Sequence, residues 1–275
     1  MPMLDDCGEI LLNGGLTNAG RVSRVGNTVR RPWRSTSSAT WALFDHLARV
    51  GFDGAPRFLG IDNHGREILS FIPGEAAIEP HQDWALTDEA LVSVAELLRR
   101  YHAAAASFDA SRHRWPDFVP PEFREGLVSH NDPNLDNVIF SGGVAVGLID
   151  FDLAGPGTAV WDVTCAARLW APLRDERDVP EELRGRSLER LRIFVDAYGL
   201  ARRDRSRVVD AAIHTHDRCY RVVRRAVDGG HETFGRMWRE GGWARADRTR
   251  RWIASHDRDM RAVLCAGGRL GEPGQ

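Results

Sequence analysis

The N-terminal part of the chain alternates short apolar runs with turn residues, a pattern typical of a small antiparallel sheet. Gly26-Asn27 separates two of these runs and predicts a tight hairpin turn. Residues 38–50 instead carry apolar side chains at helical spacing, which predicts one amphipathic helix. Pro73-Gly74 then interrupts the pattern. The predicted strands are residues 9–12, 21–25, 28–31, 56–61 and 67–72.

The rest of the chain is dominated by helical periodicity. Leu91, Val94, Leu98 and Tyr101 recur at three- and four-residue spacing and predict a buried stripe on one long helix. No internal repeat or low-complexity linker appears along the chain. The pattern therefore predicts an α+β protein with a sheet-rich first part and a mainly helical second part. The predicted helices are residues 86–107, 163–172, 181–198, 205–228 and 245–264.

Two apolar strands in the middle of the chain end in polar residues. They lie within residues 127–140 and 144–154, and the turn Ser141-Gly142-Gly143 between them favours a hairpin return. Such a return brings the two sets of polar groups together on a rigid base. The candidate functional residues at these strand ends are His130, Asp132, Asn137, Asp150 and Asp152.

These residue types suit magnesium-dependent phosphoryl transfer. Magnesium takes hard oxygen ligands from one or two side chains and completes its shell with water and phosphate, and a separate Asp can accept the proton of an attacking hydroxyl. A calcium loop starting at Asp132 is the first alternative, but its sixth and twelfth positions are Asn137 and Gly143 rather than Gly and Glu. A purely structural turn is the second, because Asp and Asn are common turn residues.

Composition narrows the class of protein. The 275 residues carry a formal net charge of −2, which argues against a general nucleic-acid or membrane-surface binder. There is no lysine; every basic residue other than histidine is arginine. No apolar run reaches membrane-span length and no signal peptide is seen at the start, so we expect a cytoplasmic protein. The cysteines are widely spaced and predict neither zinc nor a disulfide framework: Cys7, Cys165, Cys219 and Cys265.

Two motifs resemble those of a known family. The run from His130 to Asn137 reads H-N-D-P-N-L-D-N and is similar to the H-x-D-x-x-x-x-N catalytic loop of the aminoglycoside phosphotransferase family, which shares the protein-kinase-like fold. Residues 149–152, I-D-F-D, resemble that family's metal-binding strand. The resemblance implies a two-lobed protein, with a nucleotide-binding lobe at residues 1–73 and a catalytic and acceptor-binding lobe at residues 74–275.

The resemblance also implies a role for each motif residue. Asp132 would be the catalytic base, and His130 would brace the loop that carries it. Asn137 and Asp150 would hold Mg²⁺, and Asp152 matches the family's second acidic position, so it joins them as a candidate metal residue. Further along, Asp162 matches a family position that ties the catalytic loop to the following helix.

The nucleotide site is predicted from position in the chain. In the family, the first glycine turn covers the phosphates, which makes Gly14 and Gly15 candidates. Arg31 stands where a kinase strand carries its phosphate-binding lysine, although a solvated arginine on an edge strand is the plain alternative. The purine would meet the backbone of Ser70, Phe71 and Ile72, which no side-chain pattern separates from an ordinary strand end.

We therefore predict a phosphotransferase that moves the γ-phosphoryl group of ATP, or of GTP, to a hydroxyl of a small molecule. Helix 38–50 lacks the glutamate that pairs with the strand lysine in the family, which motivates a first alternative: a catalytically weak or inactive, pseudokinase-like nucleotide-binding protein. A metal-dependent hydrolase using the same carboxylates is the second alternative. His214 and His216 face different sides of a helix, which disfavours a metal site there. The acceptor and the oligomeric state stay open.

Overall fold

The computed structural model describes residues 8–12, 20–78 and 81–266. Within this part of the chain there are ten β-strands and eight α-helices. The strands are β1 Ile10–Leu11, β2 Ser23–Val25, β3 Thr28–Pro32, β4 Phe58–Ile61, β5 Arg66–Ser70, β6 Glu75–Ala76, β7 Leu127–Ser129, β8 Val138–Ser141, β9 Val144–Leu148 and β10 Gly155–Gly157. The helices are α1 Ser37–Arg49, α2 Asp88–Ala105, α3 Ala159–Trp170, α4 Ser187–Tyr198, α5 Arg205–Asp228, α6 Glu232–Met237, α7 Trp243–Ser255 and α8 Asp257–Cys265.

The first five strands form one antiparallel sheet in the order β1-β2-β3-β5-β4. Gly26, with φ +58°, provides the left-handed backbone for the tight turn between β2 and β3. Strands β3 and β5 are adjacent although α1 and β4 separate them in sequence, and Arg31 lies directly opposite Glu67. Helix α1 buries Leu43 and Leu47 in the core, as its helical apolar spacing predicts.

Two small sheets carry the middle of the chain. Strands β8 and β9 form the predicted hairpin, with Gly142 and Gly143 at φ +59° and +80° in the two-residue turn. Strand β6 adds to the free edge of β8, and β7 pairs with β10 in a separate antiparallel ladder. The sequence did not predict β6 or β10, because each has only two or three residues.

Helices α1, α3 and α4 pack against α2, which is capped by Thr87, whose hydroxyl accepts a hydrogen bond from the Ala90 N–H. Its apolar stripe is buried in a hydrophobic core that continues from α1 into α3, α4 and α5. The α+β fold class is therefore confirmed. The boundary at residue 73 stays a prediction; the chain leaves the first sheet at Ser70 and enters the next one at Glu75. No helix in the described residues is long and apolar enough to span a membrane.

The observed helices differ from the predicted ones at four places. Helix α3 starts at Ala159 rather than residue 163, because the Thr158 hydroxyl caps its first turn. Helix α4 starts at Ser187, after Gly185 at φ +73°. The single helix predicted over 245–264 is two helices separated at His256, whose ring stacks on Trp252 at 4.1 Å between ring centroids. Helix α6 was not among the predicted helices.

Candidate active site

The loop between β7 and β8 is held by one buried carboxylate, Asp162, at the start of α3. Its two oxygens accept hydrogen bonds from the backbone N–H groups of His130 and Asn131, each at 2.7 Å, and from His102 Nε2 at 2.9 Å. Burial by itself raises the pKa of Asp162, but the hydrogen bond from His102 and the nearby histidines bring it below its ordinary value. Asp162 therefore stays ionised and fixes the loop backbone.

Asn131 adopts a left-handed conformation at φ +68°, which Asn tolerates better than most residues. Its side-chain amide donates to the Leu153 carbonyl at 2.8 Å and accepts from Trp161 Nε1 at 2.7 Å. Its own carbonyl accepts a hydrogen bond from Arg218, a buried arginine on α5. These contacts come from three separate segments and hold the turn that leads into Asp132.

His130 joins the two polar segments. Its Nε2 donates to the Ile149 carbonyl at 2.9 Å, and its Nδ1 accepts the Asp132 N–H at 3.2 Å, a pattern that requires the neutral Nε2-protonated ring. The ring is fully buried, and burial lowers the pKa of His130. The geometry is that of a bridge within the loop rather than of a proton donor facing an open site.

The Asp132 carboxylate lies between two side-chain amides. Oδ1 accepts from Asn134 Nδ2 at 2.7 Å, and Oδ2 accepts from Asn137 Nδ2 at 3.2 Å. Asn137 Nδ2 also donates to the Asp132 carbonyl at 2.9 Å. Because both contacts use its nitrogen, the Asn137 Oδ1 is turned away from Asp132 and is available as a hard oxygen ligand.

A second cluster lies where β9 ends. Asp150 takes a left-handed backbone conformation, φ +60° and ψ +63°, which points the chain out of the strand. Arg31 reaches across from β3: its Nη1 lies 3.1 Å from Asp150 Oδ1, and its Nη2 lies 3.0 Å from Asp152 Oδ1. Asp152 Oδ2 accepts from Arg34 Nε at 2.6 Å. The side chain of Arg31 is buried, so it is not the solvated surface arginine of the plain alternative.

Electrostatics in this cluster favour an added cation. Among the described residues, three carboxylates, from Glu67, Asp150 and Asp152, contact two guanidinium groups, from Arg31 and Arg34. Burial and the neighbouring Asp152 charge raise the pKa of Asp150 to about 6. A bound divalent cation would compensate the excess negative charge at this point.

The residues fit a metal that keeps water and phosphate in its shell. Asn137 Oδ1 and the Asp150 carboxylate are the candidate protein ligands. Asp152 fits less well, because each of its oxygens already contacts an arginine. Among the described residues no group of three or more His, Cys, Asp or Glu side chains is placed to hold a metal ion.

A cavity of about 1020 Å³ adjoins both clusters. Its apolar walls include Val29, Leu69 and Ile139, which suit a planar ring. The predicted site residues on its lining are Arg31, Ser70, Phe71, Ile72, Asn137 and Asp150. Gly14 and Gly15 lie outside the described residues.

Two backbone N–H groups of the predicted purine-binding segment already donate hydrogen bonds within the protein. Ser70 N–H donates to the Arg57 carbonyl and Phe71 N–H donates to the Asn27 carbonyl, both at 2.9 Å. The Ile72 N–H has no backbone acceptor among the described residues. Of the three residues, Ile72 is therefore the candidate backbone donor to a base in this cavity.

Sequence reasoning missed Glu67 and Trp41. Glu67 Oε1 accepts from Arg31 Nε at 2.5 Å, and Glu67 Oε2 accepts from Trp41 Nε1 at 2.5 Å. The one available signal was a charged residue at the start of an otherwise apolar strand. Its partner could not be predicted, because the β3–β5 register is set across the intervening helix α1.

Comparisons with known proteins agree with this geometry. The family described as phosphotransferase enzyme family matches residues 108–208, which contain both motifs. A trifolitoxin immunity protein from Rhizobium leguminosarum bv. trifolii is 35% identical over 271 residues, covering 93% of this chain and 98% of that protein.

Two solved structures share the fold. A choline/ethanolamine kinase family protein from Mesorhizobium loti superposes with a TM-score of 0.62 at 18% identity, covering 97% of this chain and 96% of that one. An amicoumacin kinase in complex with AMP-PNP, Ca²⁺ and Ami superposes with a TM-score of 0.59 at 13% identity, covering 93% and 90%. At these identities the likeness shows a kinase-like fold, which confirms the fold expected from the motifs.

Proposed function

The chain belongs to the phosphotransferase enzyme family, and from this premise we propose that it transfers the γ-phosphoryl group of ATP, or of GTP, to a hydroxyl of a small molecule. One observation carries the proposal. Asp132 and Asn137 are joined by a direct hydrogen bond, while Asn137, Asp150 and Arg31 line the same cavity. The residues proposed as metal ligands and phosphate-binding cation therefore share one cavity, and the proposed proton acceptor is hydrogen-bonded to one of them, which supports the proposal.

Each side chain has a distinct task in this mechanism. Asp132 accepts the proton of the attacking hydroxyl, and the amides of Asn134 and Asn137 hold its carboxylate in position. Arg31 contacts the phosphates with the N–H groups that its carboxylate partners leave unused. His130 bridges the backbone on either side of the site. Most of the rate enhancement then comes from positioning and charge, as expected for phosphoryl transfer.

Asn137 and Asp150 would hold Mg²⁺, and Asp152 is the third candidate from the sequence. When bound, the ion would neutralise charge on the β- and γ-phosphate oxygens. The structure of the amicoumacin kinase contains a nucleotide analogue and Ca²⁺, which is consistent with a divalent metal at such a site.

A nucleotide-binding protein without transfer activity is the second candidate, since no lysine occurs in the chain and α1 has no glutamate. Against it, the structure provides Arg31 with a buried carboxylate partner from another element, Glu67. The name of the trifolitoxin relative indicates immunity to a toxin, which either phosphorylation or sequestration of that toxin could provide.

Transfer of labelled phosphate decides between these functions. The protein is incubated with γ-labelled ATP or GTP, Mg²⁺ and a panel of amino alcohols, sugars, antibiotics and trifolitoxin. We expect label in one acceptor and none with Asp132→Asn. Binding of AMP-PNP without transfer to any acceptor would support the second candidate, and label released only to water would indicate a hydrolase.

A further inference from the structure

The carboxylate that supports Arg31 comes from the sheet. Glu67 is 1% exposed and lies directly opposite Arg31 on the adjacent antiparallel strand, with 2.5 Å between Glu67 Oε1 and Arg31 Nε. Helix α1 has no acidic residue in its first turn and no glutamate anywhere. The buried ion pair therefore links β3 with β5, and α1 provides no charge to it.

Helix α1 contributes a neutral contact instead. Trp41 Nε1 donates to Glu67 Oε2 at 2.5 Å. The Trp41 ring stacks on Phe58 of β4, with 4.1 Å between centroids and 12° between planes. Strand β3 and helix α1 thus each provide a donor to Glu67 of β5, one to each carboxylate oxygen.

The shape of the guanidinium group explains this arrangement. Nε belongs to the stem of the arginine side chain, close to its own strand, so its partner is best provided by the neighbouring strand. The two terminal nitrogens then point forward, Nη1 to Asp150 at 3.1 Å and Nη2 to Asp152 at 3.0 Å. A lysine has a single terminal nitrogen and could not make these three contacts in one geometry.

We propose that Glu67, held by Trp41, is the positioning residue that fixes Arg31 at the phosphate end of the nucleotide cavity. Arg31 on β3 and Glu67 on β5 act as a matched pair. An arginine in place of the family's strand lysine goes together with a carboxylate from the neighbouring strand in place of the helix glutamate. This inference rests on the proposed function, because it assigns the cavity to a nucleotide whose phosphates meet Arg31.

The first experiment measures nucleotide binding, so it does not need an acceptor. Dissociation constants for AMP-PNP with Mg²⁺ and for adenosine are measured by calorimetric titration for the wild type, Glu67→Gln, Trp41→Phe and Arg31→Lys. We expect Glu67→Gln to weaken AMP-PNP binding at least tenfold while adenosine binding changes less than twofold. Trp41→Phe retains a smaller aromatic ring beside Phe58 and removes the N–H donor, and it should give a smaller change in the same direction.

Arg66 and Glu9 provide a matched control. They form another arginine–glutamate pair in the same sheet, with 2.6 Å between Arg66 Nη2 and Glu9 Oε1, and neither residue lines the cavity. Glu9→Gln should leave both dissociation constants unchanged. The double variant Arg31→Lys with Glu67→Gln should bind AMP-PNP about as weakly as either single variant, because each change breaks the same pair.

The outcomes separate the two proposals. Any one of three results would overturn the positioning role. Glu67→Gln could bind AMP-PNP as tightly as the wild type, it could lose AMP-PNP and adenosine affinity equally, or it could have the same effect as Glu9→Gln. AMP-PNP binding with the expected variant pattern, but no transfer to any acceptor, would sustain it and refute only the proposed phosphotransferase activity. A wild-type protein that binds no nucleotide would overturn both.

Discussion

Two neighbouring regions adjoin one cavity but are held together in different ways. They are the loop that carries Asp132, residues 130–137, and the Arg31 cluster, which consists of Arg31, Arg34, Glu67, Asp150 and Asp152. In the loop, Asp132 contacts the amides of Asn134 and Asn137, which are two and five residues away in sequence. In the cluster, Arg31 contacts Glu67 and Asp150, which are 36 and 119 residues away. Local hydrogen bonds hold the Asp132 side chain, whereas long-range ion pairs hold Arg31.

Because of this difference, the two regions should respond differently to the substitution of single residues. A short loop with local polar contacts depends on a few backbone anchors, chiefly Asp162. A buried ion cluster depends on the packing of β3, β5 and the end of β9, and loss of one partner leaves an uncompensated charge. The following predictions test this contrast, beginning with the largest effect.

The largest loss of activity is expected for Asp132→Asn. This change removes the proton acceptor but keeps the shape of the side chain, so transfer should fall by about 10²–10⁴-fold. AMP-PNP affinity should stay within about twofold, since Asp132 is not part of the Arg31 cluster or of the cavity lining. Single-turnover transfer and calorimetric titration measure the two quantities, and an unchanged rate would rule out Asp132 as the base.

The largest loss of stability is expected for Asp162→Asn. The amide NH2 group would replace one carboxylate oxygen and face either the Asn131 N–H or the N–H groups of His130 and His102, at a cost of about 3–5 kcal/mol in the free energy of unfolding. Because the folded pKa of Asp162 is lowered, its contribution is complete above the ordinary carboxylate pKa and is lost as pH falls through the folded value.

Urea unfolding of both proteins at pH 7, and again at a pH below the ordinary carboxylate pKa, checks this prediction, and Asp109→Asn on the surface is the control. A difference of less than about 1 kcal/mol at pH 7 would mean that the loop is held by other contacts.

Asp150→Asn and Asp152→Asn should differ in their metal dependence. If Asp150 is the metal ligand and Asp152 anchors Arg31 and Arg34, only Asp150→Asn raises the Mg²⁺ concentration needed for half-maximal activity. Asp152→Asn should instead weaken AMP-PNP binding by roughly tenfold, the effect of losing one charge-assisted contact. If both variants raise the Mg²⁺ requirement equally, Asp152 is also a metal ligand, as the motif suggests.

The smallest effect is expected for Glu9→Gln. The pair with Arg66 lowers the pKa of Glu9 to about 2. A lowered acidic pKa stabilises the folded state above the ordinary value and loses that effect as pH falls from about 4.5 towards 2. Because the pair is partly exposed, the loss at pH 7 should be below about 1 kcal/mol. Thermal unfolding at pH 7 and pH 3 measures it, and a larger loss would contradict a peripheral role.

Motifs of contiguous residues were predicted well from the sequence. His130, Asp132 and Asn137 lie within eight residues, and a hairpin with two glycines returns the chain to Asp150, so their convergence follows from local geometry. The chain also places Val29 and Arg31 on one side of β3, as strand alternation predicts, and both line the cavity. The exact helix ends were not predicted, because they depend on caps and turns such as Thr158 and His256.

The chain by itself determined the α+β class, the order of the motifs and the candidate residues for phosphoryl transfer, because these depend on periodicity and on spacing over a few residues. Only the tertiary structure decided that Glu67 supports Arg31 and that Trp41 holds Glu67. The register between β3 and β5, which α1 and β4 separate in sequence, depends on how distant segments pack. The burial of the ion pair between these strands depends on the same packing, and no local sequence pattern encodes it.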